Sequence, residues 1–455
     1  MKKLLLTFSL IALTSTINAQ WTAQNSGFTA AYRGLSEIHA LDANTVWALA
    51  YDGSGGGANV QELTMTTDGG SLWTMKTIDL GDPTLQINNI SPVSATTAWV
   101  SAIVNIGSPN PTDGVGTIVK TSDGGESWTP QCATCFQIAG SSFLNGVHFF
   151  NENVGVAYGD PVGGEYEIWR TTNGGDSWTQ VAGANIANPL SGEYGYNSLP
   201  IAAGGTLWFP TNKGRLVRTT DMGATWTAAQ APLTDFGAAL PANSGTAIFS
   251  DANNGYLLKT SGTVATPVYT YYITTNGGAT WGTGATFTGT RRILTYIPGT
   301  TTIVATSQQV TPTPTFGTSV SINNGATWTD VESAEQRGAS SFVNLTTGWS
   351  AGFSDIDPLV VDGIYKLTGT LGLDNSTTVS KFKVYPNPAS STVTISVENV
   401  DSFNLTVTDL TGKVVMAKSL SGMENTLDIS SLSTGAYFFE LTSDNKKDVV
   451  KILKN

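Results

Sequence analysis

Short apolar segments alternate with turn residues along most of this chain. Seven times, an apolar run is followed by an Asn-, Asp- or Gly-containing turn and a second apolar run, with no long stretch of helical periodicity between them. This pattern is typical of consecutive antiparallel strands. The seven pairs are IHALDANTVWALAY, ISPVSATTAWVSAI, VHFFNENVGVAYG, LPIAAGGTLWFP, AIFSDANNGYLLK, LTYIPGTTTIVAT and SFVNLTTGWSAGF.

An eight-residue pattern, Ser/Thr-x-Asp/Asn-x-Gly-x-x-Trp, follows six of the seven pairs. Its copies end at intervals of 55, 50, 48, 55 and 47 residues, a period that suits a four-stranded propeller blade. An Asp or Asn followed by glycine forms a hairpin turn, and the Trp packs beneath it. The third and eighth residues of the copies are Asp68 and Trp73, Asp123 and Trp128, Asn173 and Trp178, Asp221 and Trp226, Asn276 and Trp281, and Asn323 and Trp328.

The seventh pair is followed by a third apolar segment, GIYKLTG, but by no further Trp. The missing strand is expected at the other end of the propeller, because Trp21-Thr22 repeats the Trp-Thr pair found at the end of most copies of the eight-residue pattern. We therefore predict an all-β fold in which residues 20–369 form a seven-bladed propeller and residues 20–28 provide the outer strand of blade seven. Such closure removes open sheet edges.

The six repeats resemble the Asp boxes (BNR repeats) of sialidases, sortilin-type receptors and photosystem II assembly-factor-like propellers. The resemblance implies the propeller fold but not catalysis. Because Asp and Asn alternate at the third position, we interpret it as a hydrogen-bond acceptor within a turn, since a general acid could not be replaced by Asn.

Residues 1–19 have the features of a secretory signal peptide, namely two lysines, an apolar run and a small residue at the end. Its removal would change the formal charge from −12 to −14, which disfavours nucleic acid and anionic membranes as partners. No other segment is long and apolar enough to suggest a transmembrane helix. In an exported chain, Cys132 and Cys135 are expected to form a local disulfide, with a redox role as the alternative.

A polar linker, residues 370–380, precedes a final domain, residues 381–455, whose alternating strands predict a small Ig-like β-sandwich. This domain resembles the type A sorting domain of the type IX secretion system. The resemblance implies export through that machinery, removal of the domain, and a secreted or outer-membrane-surface location in a Gram-negative bacterium. The matching positions are Tyr385-Pro386-Asn387-Pro388, Asp409-Leu410-Thr411-Gly412-Lys413, Leu432-Ser433-Thr434-Gly435-Ala436-Tyr437, and the basic residues Lys446, Lys447, Lys451 and Lys454.

Candidate binding residues lie on the propeller face opposite the boxes, where the connections vary most in length. One group contains four arginines from the edges of blades one, six and seven, which are neighbours in a closed ring. Together they would recognise a carboxylate or sulfate, unless each one pairs with a local acid or lies over an aromatic ring. These residues are Arg33, Arg291, Arg292 and Arg337.

A second group, Glu193, Tyr194, Tyr196 and Asp160, lies in connections that would face the arginines across the funnel, together with Asp235. Asp355 and Asp357 form either a calcium loop or a solvated acidic loop. A Glu beside a Tyr invites comparison with the sialidase nucleophile. However, the sialidase motif Phe/Tyr-Arg-Ile-Pro is replaced here by residues 32–35, Tyr-Arg-Gly-Leu, so no family catalytic residue is transferred.

These observations favour a monomeric, exported binding module for a glycan or an extracellular protein, without metal or cofactor. A sialidase-like glycoside hydrolase is the alternative, and it would need two carboxylates in a deep pocket. A third possibility is docking of a partner protein, as in the assembly-factor-like propellers.

Overall fold

A computed structural model describes residues 21–30, 32–54, 56–57, 59–104, 115–197, 200–308, 315–352, 363–371, 383–397, 402–410, 412–443 and 446–455. Backbone contacts divide the chain into two compact units, Met1–Gly372 and Leu373–Asn455. The signal peptide, Asp355, Asp357, most of the linker and Thr411 lie outside the described residues.

The first unit contains seven four-stranded antiparallel sheets, as the sequence predicts. Within the described residues, the exception to strand and turn is a 3₁₀ turn at Gly183–Asn185. Blades one to three contain β2 (Arg33–Ala40), β3 (Val46–Asp52), β4 (Glu62–Thr66) and β5 (Thr74–Thr77); β6 (Leu85–Pro92), β7 (Ala98–Val104), β8 (Gly116–Thr121) and β9 (Thr129–Gln131); and β10 (Leu144–Phe149), β11 (Gly155–Val162), β12 (Glu165–Thr171) and β13 (Thr179–Gln180).

Blades four to six contain β14 (Ile201–Ala203), β15 (Thr206–Pro210), β16 (Arg215–Thr219) and β17 (Thr227–Gln230); β18 (Ser244–Phe249), β19 (Gly255–Gly262), β20 (Pro267–Thr274) and β21 (Ala285–Thr286); and β22 (Ile293–Tyr296), β23 (Ile303–Ser307), β24 (Gly317–Ser321) and β25 (Thr329–Glu332). Blade seven contains β26 (Arg337–Asn344), β27 (Thr347–Gly352) and β28 (Ile364–Leu367), with β1 (Trp21–Gln24) as its outer strand.

The two ends of the propeller meet in blade seven. β1 pairs antiparallel with β28 from Trp21 opposite Leu367 to Gln24 opposite Ile364. This is the predicted closure, over a shorter span than residues 20–28. Blade seven also packs against blade one, where the Ala40 amide donates to Ser341 Oγ at 3.0 Å and Trp349 lies in the same buried cluster as Leu35. The sheets therefore form a closed ring.

The six boxes share one hydrogen-bond pattern between the third and fourth strands of their blades. In the first box, Asp68 Oδ1 accepts from Thr66 Oγ1 at 2.8 Å and from the Leu72 amide at 3.0 Å, and the Gly70 amide donates to Thr66 Oγ1. The Asn boxes use the amide oxygen in the same way: Asn173 Oδ1 accepts from Thr171 Oγ1 at 2.9 Å. The bonds to this oxygen do not need a negative charge.

Basic side chains of four blades also donate to backbone carbonyls in the box of the next blade. Lys366 donates to the Gly69 carbonyl, Lys120 to that of Gly174, Arg170 to that of Met222, and Arg218 to that of Gly277. Four of the chain's 22 lysines and arginines thus hold neighbouring blades together.

The second unit is a β-sandwich. One sheet has the order β29 (Lys383–Tyr385), β30 (Thr392–Ser396), β33 (Glu424–Asp428). The other has the order β32 (Val414–Ser421), β31 (Ser402–Asp409), β34 (Gly435–Ser443), β35 (Lys446–Lys454). Val393, Leu405, Phe439 and Ile452 pack in a shared core, as the predicted alternation requires.

Candidate ligand-binding site

Each blade exposes two sets of connections, at opposite ends of the ring. The boxes lie beside the turns between first and second strands, as the bond from the Gly69 amide to the Asn44 carbonyl shows. The opposite end, named here the loop face, carries the turns between second and third strands and the connections between blades. The four arginines singled out in the sequence lie in or beside these loop-face connections, as do Asp160, Glu193 and Asp235.

Arg33 begins β2 and is held by an acid of its own blade. Its Nε and Nη2 donate to the two carboxylate oxygens of Glu62 at 2.7 and 3.1 Å. This pairing raises the pKa of the Arg33 guanidinium, with a smaller contribution from Asp52. Arg33 is therefore engaged in a bidentate ion pair, an arrangement that would have to open before it could bind a ligand carboxylate.

Arg291 and Arg337 are buried, with 3% and 1% of their surface exposed, rather than grouped on an open face. Arg291 donates to the Phe316 carbonyl at 2.7 Å and to Asp330 Oδ1 at 2.6 Å. Arg337 donates to Glu332 Oε1 at 2.7 Å and lies over the Tyr365 ring. Both side chains thus bind acids or carbonyls of blade six and are buried. They do not form the expected shared anion site on an open face.

Arg292, next to Arg291 in the chain, points to a different partner. Its guanidinium lies over the ring of Tyr269 in blade five, with 4.0 Å between the guanidinium carbon and the ring centroid. The four arginines thus have separate partners, and three of them join or brace blades five, six and seven.

Glu193, in the connection between blades three and four, is also buried and multiply bonded. Its carboxylate accepts from the Leu190 amide and Thr211 Oγ1 at 2.7 Å each, and from Arg215 Nε at 3.0 Å. Burial alone raises the pKa of this carboxyl, but the bonds from Leu190, Thr211 and Arg215 together bring it below its usual value. Glu193 thereby holds the connection between blades three and four in place.

Tyr194 and Tyr196 project from the connection that Glu193 fixes. The Tyr194 ring is 43% exposed and meets the Tyr196 ring edge-on, with centroids 5.6 Å apart. Asn212 holds the Tyr194 backbone through a bond from the Tyr194 amide at 2.9 Å and a second to its carbonyl at 3.1 Å. Tyr196 donates its hydroxyl to Asp235 Oδ1 at 2.5 Å. We call Tyr194, Tyr196, Asn212 and Asp235 the tyrosine platform.

Asp160, at the loop-face end of β11, connects to this platform. Its Oδ1 accepts from Asn145 Nδ2 at 2.8 Å and from the Gly195 amide, between the two tyrosines, at 2.9 Å. Burial raises the pKa of Asp160 to about 6, although both hydrogen bonds act in the opposite direction. Asp160 is thus a carboxyl that changes charge near neutral pH beside an exposed aromatic surface.

The structure therefore brings Asp160, Glu193, Tyr194 and Tyr196 together. In the chain, strands β14 and β15 separate Tyr194 from its partner Asn212. Asn145 and Asn212 were not identified in the sequence. They fall in ordinary-looking turn and strand segments. The pairing of Gly195 with Thr211 brings Asn212 beside Tyr194, and the pairing of β10 with β11 brings Asn145 beside Asp160.

Two further features concern metals and redox chemistry. Cys132 and Cys135 are joined by a disulfide in the connection between blades two and three. Among the described residues, no group of three or more His, Cys, Asp or Glu side chains is arranged to hold a metal ion. None of the helical segments in the described part of the chain could span a membrane.

The final domain matches a known family. Residues 383–455 fit the model of the secretion system C-terminal sorting domain, the sorting signal of type IX secretion. The protein is therefore delivered by that system and is secreted or displayed at the cell surface. A search of curated proteins finds no match to the chain.

Solved structures show likeness across the propeller. YCF48 from Cyanidioschyzon merolae is 15% identical, with 76% of this chain and 98% of that one covered and a TM-score of 0.48. Trypanosoma rangeli sialidase is 12% identical, with coverage of 93% and 84% and a TM-score of 0.41. PorZ, a surface component of the type-IX secretion system of Porphyromonas gingivalis, is 11% identical, with coverage of 90% and 68% and a TM-score of 0.35. At these values the likeness says nothing about function.

Proposed function

We propose that this exported propeller is a glycan-binding module that takes up its ligand at the tyrosine platform. The observation that carries the proposal is the Tyr194 ring, which is exposed yet held in place at its backbone by Asn212 and at its edge by Tyr196. An aromatic side chain whose backbone is already held loses little further conformational entropy when a ligand packs on its ring.

The polar groups beside the ring suit a ligand rich in hydroxyl groups. Asp235 and Asp160 present carboxylate oxygens, and Asn212 presents an amide whose oxygen already accepts from the Tyr194 amide. A small number of fixed polar groups around an aromatic surface orients a sugar, whose ring face is apolar and whose edge is polar. The same surface could bind a protein, but the density of hydroxyl acceptors around one ring favours the glycan.

Hydrolysis of the sialidase type lacks a supporting observation in the described residues. Glu193 is bonded to Arg215, Thr211 and Leu190, and Arg291 and Arg337 are buried in the walls of the blades. The groups that would bind the substrate carboxylate and activate a tyrosine are already engaged.

The test is a glycan array on the full chain, followed by titration calorimetry with the best-bound glycan. Tyr194→Ala should weaken binding by at least about tenfold, as expected for loss of an aromatic anchor, while Tyr194→Phe should retain it. Leu72→Ala provides the matched control, because Leu72 is an exposed apolar side chain of the first box, far from the loop face in the blade. Absence of any bound glycan, equal loss in the control, or full binding by Tyr194→Ala would each overturn the proposal.

A further inference from the structure

A cleft of about 450 Å³ opens on the loop face between blades one and two. Its walls include Ser36, Glu37, Tyr51, Asp52, Asn59 and Asn88. The inner strands β2 and β6 both carry a β-bulge here, at Ser36 and Asn88, where the register with the second strand shifts. Bulges of this kind redirect side chains beside functional sites. The cleft is separate from the tyrosine platform, which lies in blades three and four.

Glu37 is the central group of this cleft. Its residue is 3% exposed, and one carboxylate oxygen, Oε2, contacts His39 Nε2 at 3.0 Å and accepts from the Ile90 amide of blade two at 3.2 Å. The other oxygen, Oε1, has no hydrogen-bond partner among the described residues. A carboxylate oxygen that lines a cleft without a donor is available to a ligand or water that supplies one.

Asn88 adds a second acceptor without a donor. Its Nδ2 donates to the Leu144 carbonyl of blade three at 2.6 Å, which fixes the amide, while its Oδ1 is buried and makes no hydrogen bond among the described residues. Asp52 contributes a further carboxylate to the wall and also caps its own loop, where the Ser54 amide donates to Oδ1.

The charge of the cleft is negative. None of the lining residues is basic, and the nearest arginine along β2, Arg33, has its guanidinium on Glu62. A site with fixed acceptors and no cation of its own is complementary to a ligand that brings both hydrogen-bond donors and positive charge.

We propose that this cleft binds the primary ammonium group of a small polyhydroxyl ligand, an amino sugar, with the ammonium on Glu37 and the hydroxyl groups beside the polar lining residues Ser36, Asn59 and Asn88. The ammonium has three donors and no acceptor, which fits the Glu37 oxygen without a donor in a cleft that no lysine or arginine lines. The cavity volume suits one or two sugar rings. This inference does not depend on the function proposed for the tyrosine platform.

Binding should be coupled to protons through Glu37. Burial raises the pKa of the free Glu37 carboxyl, opposed in part by its bond to His39. Two other titratable groups lie around it. Burial and, to a smaller extent, the charge of Glu37 raise the pKa of Tyr158 on β11, and His148 on β10 is affected by the charge of His39. Burial and His39 lower the pKa of His148 to about 4, so His148 is neutral at neutral pH. An ammonium ligand favours the ionised carboxylate, so affinity falls as the solution is acidified.

The experiment is calorimetric titration of the full chain with glucosamine, using glucose and N-acetylglucosamine as probes of the same ring without an ammonium. Glucosamine should bind at least about tenfold more tightly than either, because bonds to charged groups exceed neutral ones by this margin. Glu37→Gln should remove that preference while keeping an oxygen for the Ile90 amide. Glu152→Gln, an exposed acid on a turn of blade three, serves as the matched control.

Two further measurements keep the test decisive if Glu37→Gln fails to fold. Asn88→Ala should weaken glucosamine binding several-fold. In the native protein, the affinity for glucosamine should decline as the solution is acidified. Calorimetry in buffers of different ionisation enthalpy should show that binding releases protons. No binding of glucosamine, equal binding of the three sugars, or unchanged binding in a folded Glu37→Gln variant would overturn the proposal.

Discussion

The ion pair between Glu332 and Arg337 offers the sharpest test of where the arginines act. Arg337 is fully buried, with Glu332 Oε1 at 2.7 Å from its Nε and a guanidinium nitrogen, Nη1, that has no hydrogen-bond partner in the described structure. Replacing Glu332 with Met would leave a buried cation without its counter-charge. Replacing both residues with Met would leave an apolar pair of similar volume.

The magnitudes follow from burial. Breaking a buried pair by removing one partner costs about 3–5 kcal/mol. The Tyr365 and Trp21 rings, 4.1 and 5.1 Å from the guanidinium, offset about 1–2 kcal/mol of this cost. We therefore expect Glu332→Met to lower the free energy of unfolding by about 1–4 kcal/mol, and the double variant to lie within about 1 kcal/mol of the native protein. Arg337→Met should fall between them, since Glu332 keeps its bonds from Thr318 and Ala334.

Urea denaturation followed by tryptophan fluorescence measures this effect in the propeller, because all 12 tryptophans precede the sorting domain. Glu126→Met is the control, since Glu126 pairs with Lys76 while 67% exposed and should change stability by less than about 1 kcal/mol. If the double variant lost as much as the two single variants added together, or if Glu332→Met were as mild as the control, Arg337 would not depend on Glu332 and its burial would need another explanation.

Three further predictions concern ring closure and pH. Trp21→Ala should cost about 3–5 kcal/mol and speed hydrogen exchange in β28, whereas Trp226→Ala, an equally buried box Trp, should destabilise the ring without that local change. Bonds from Ser127 lower the pKa of Asp123 to about 2, so this box should lose stability as pH falls toward 2, and Asp123→Asn should remove that loss while keeping the native fold, as comparison of acid denaturation curves would show. The raised pKa of Asp160, about 6 against 3.8, means that the folded state binds more protons, so stability should decline from pH 4 to above 6; Asp160→Asn should flatten this slope in a thermal-unfolding series.

Features written in contiguous residues could be predicted from the sequence. The box turn joins residues two and four positions apart, such as Thr66 to Asp68 and Asp68 to Leu72, so its hydrogen bonds are local. Six boxes together with seven apolar pairs indicated the number of blades. The Trp-Thr pair at residue 21 identified the strand that closes blade seven, and the alternation in the final domain predicted a sandwich.

The partners of individual charged groups could not be predicted in the same way. Arg291 is 39 residues from Asp330, and Asp160 is 35 residues from Gly195, so these contacts exist only after blades are placed side by side. The sequence grouped the four arginines because each precedes an inner strand, but it could not say that acids of blade six lie within reach of two of them.

The cleft shows the same limit. Glu37 and Asn88 occupy strands of two different blades, and neither segment contains a recognisable motif. A bulge in each strand turns them toward one cavity, and strand register, unlike turn chemistry, depends on the packing of the whole sheet. The sequence by itself thus determined the architecture and the route of export, because those depend on local turns and repeats. Only the tertiary structure decided which charges are buried and which acceptors remain open to a ligand, because both depend on contacts between blades distant in the chain.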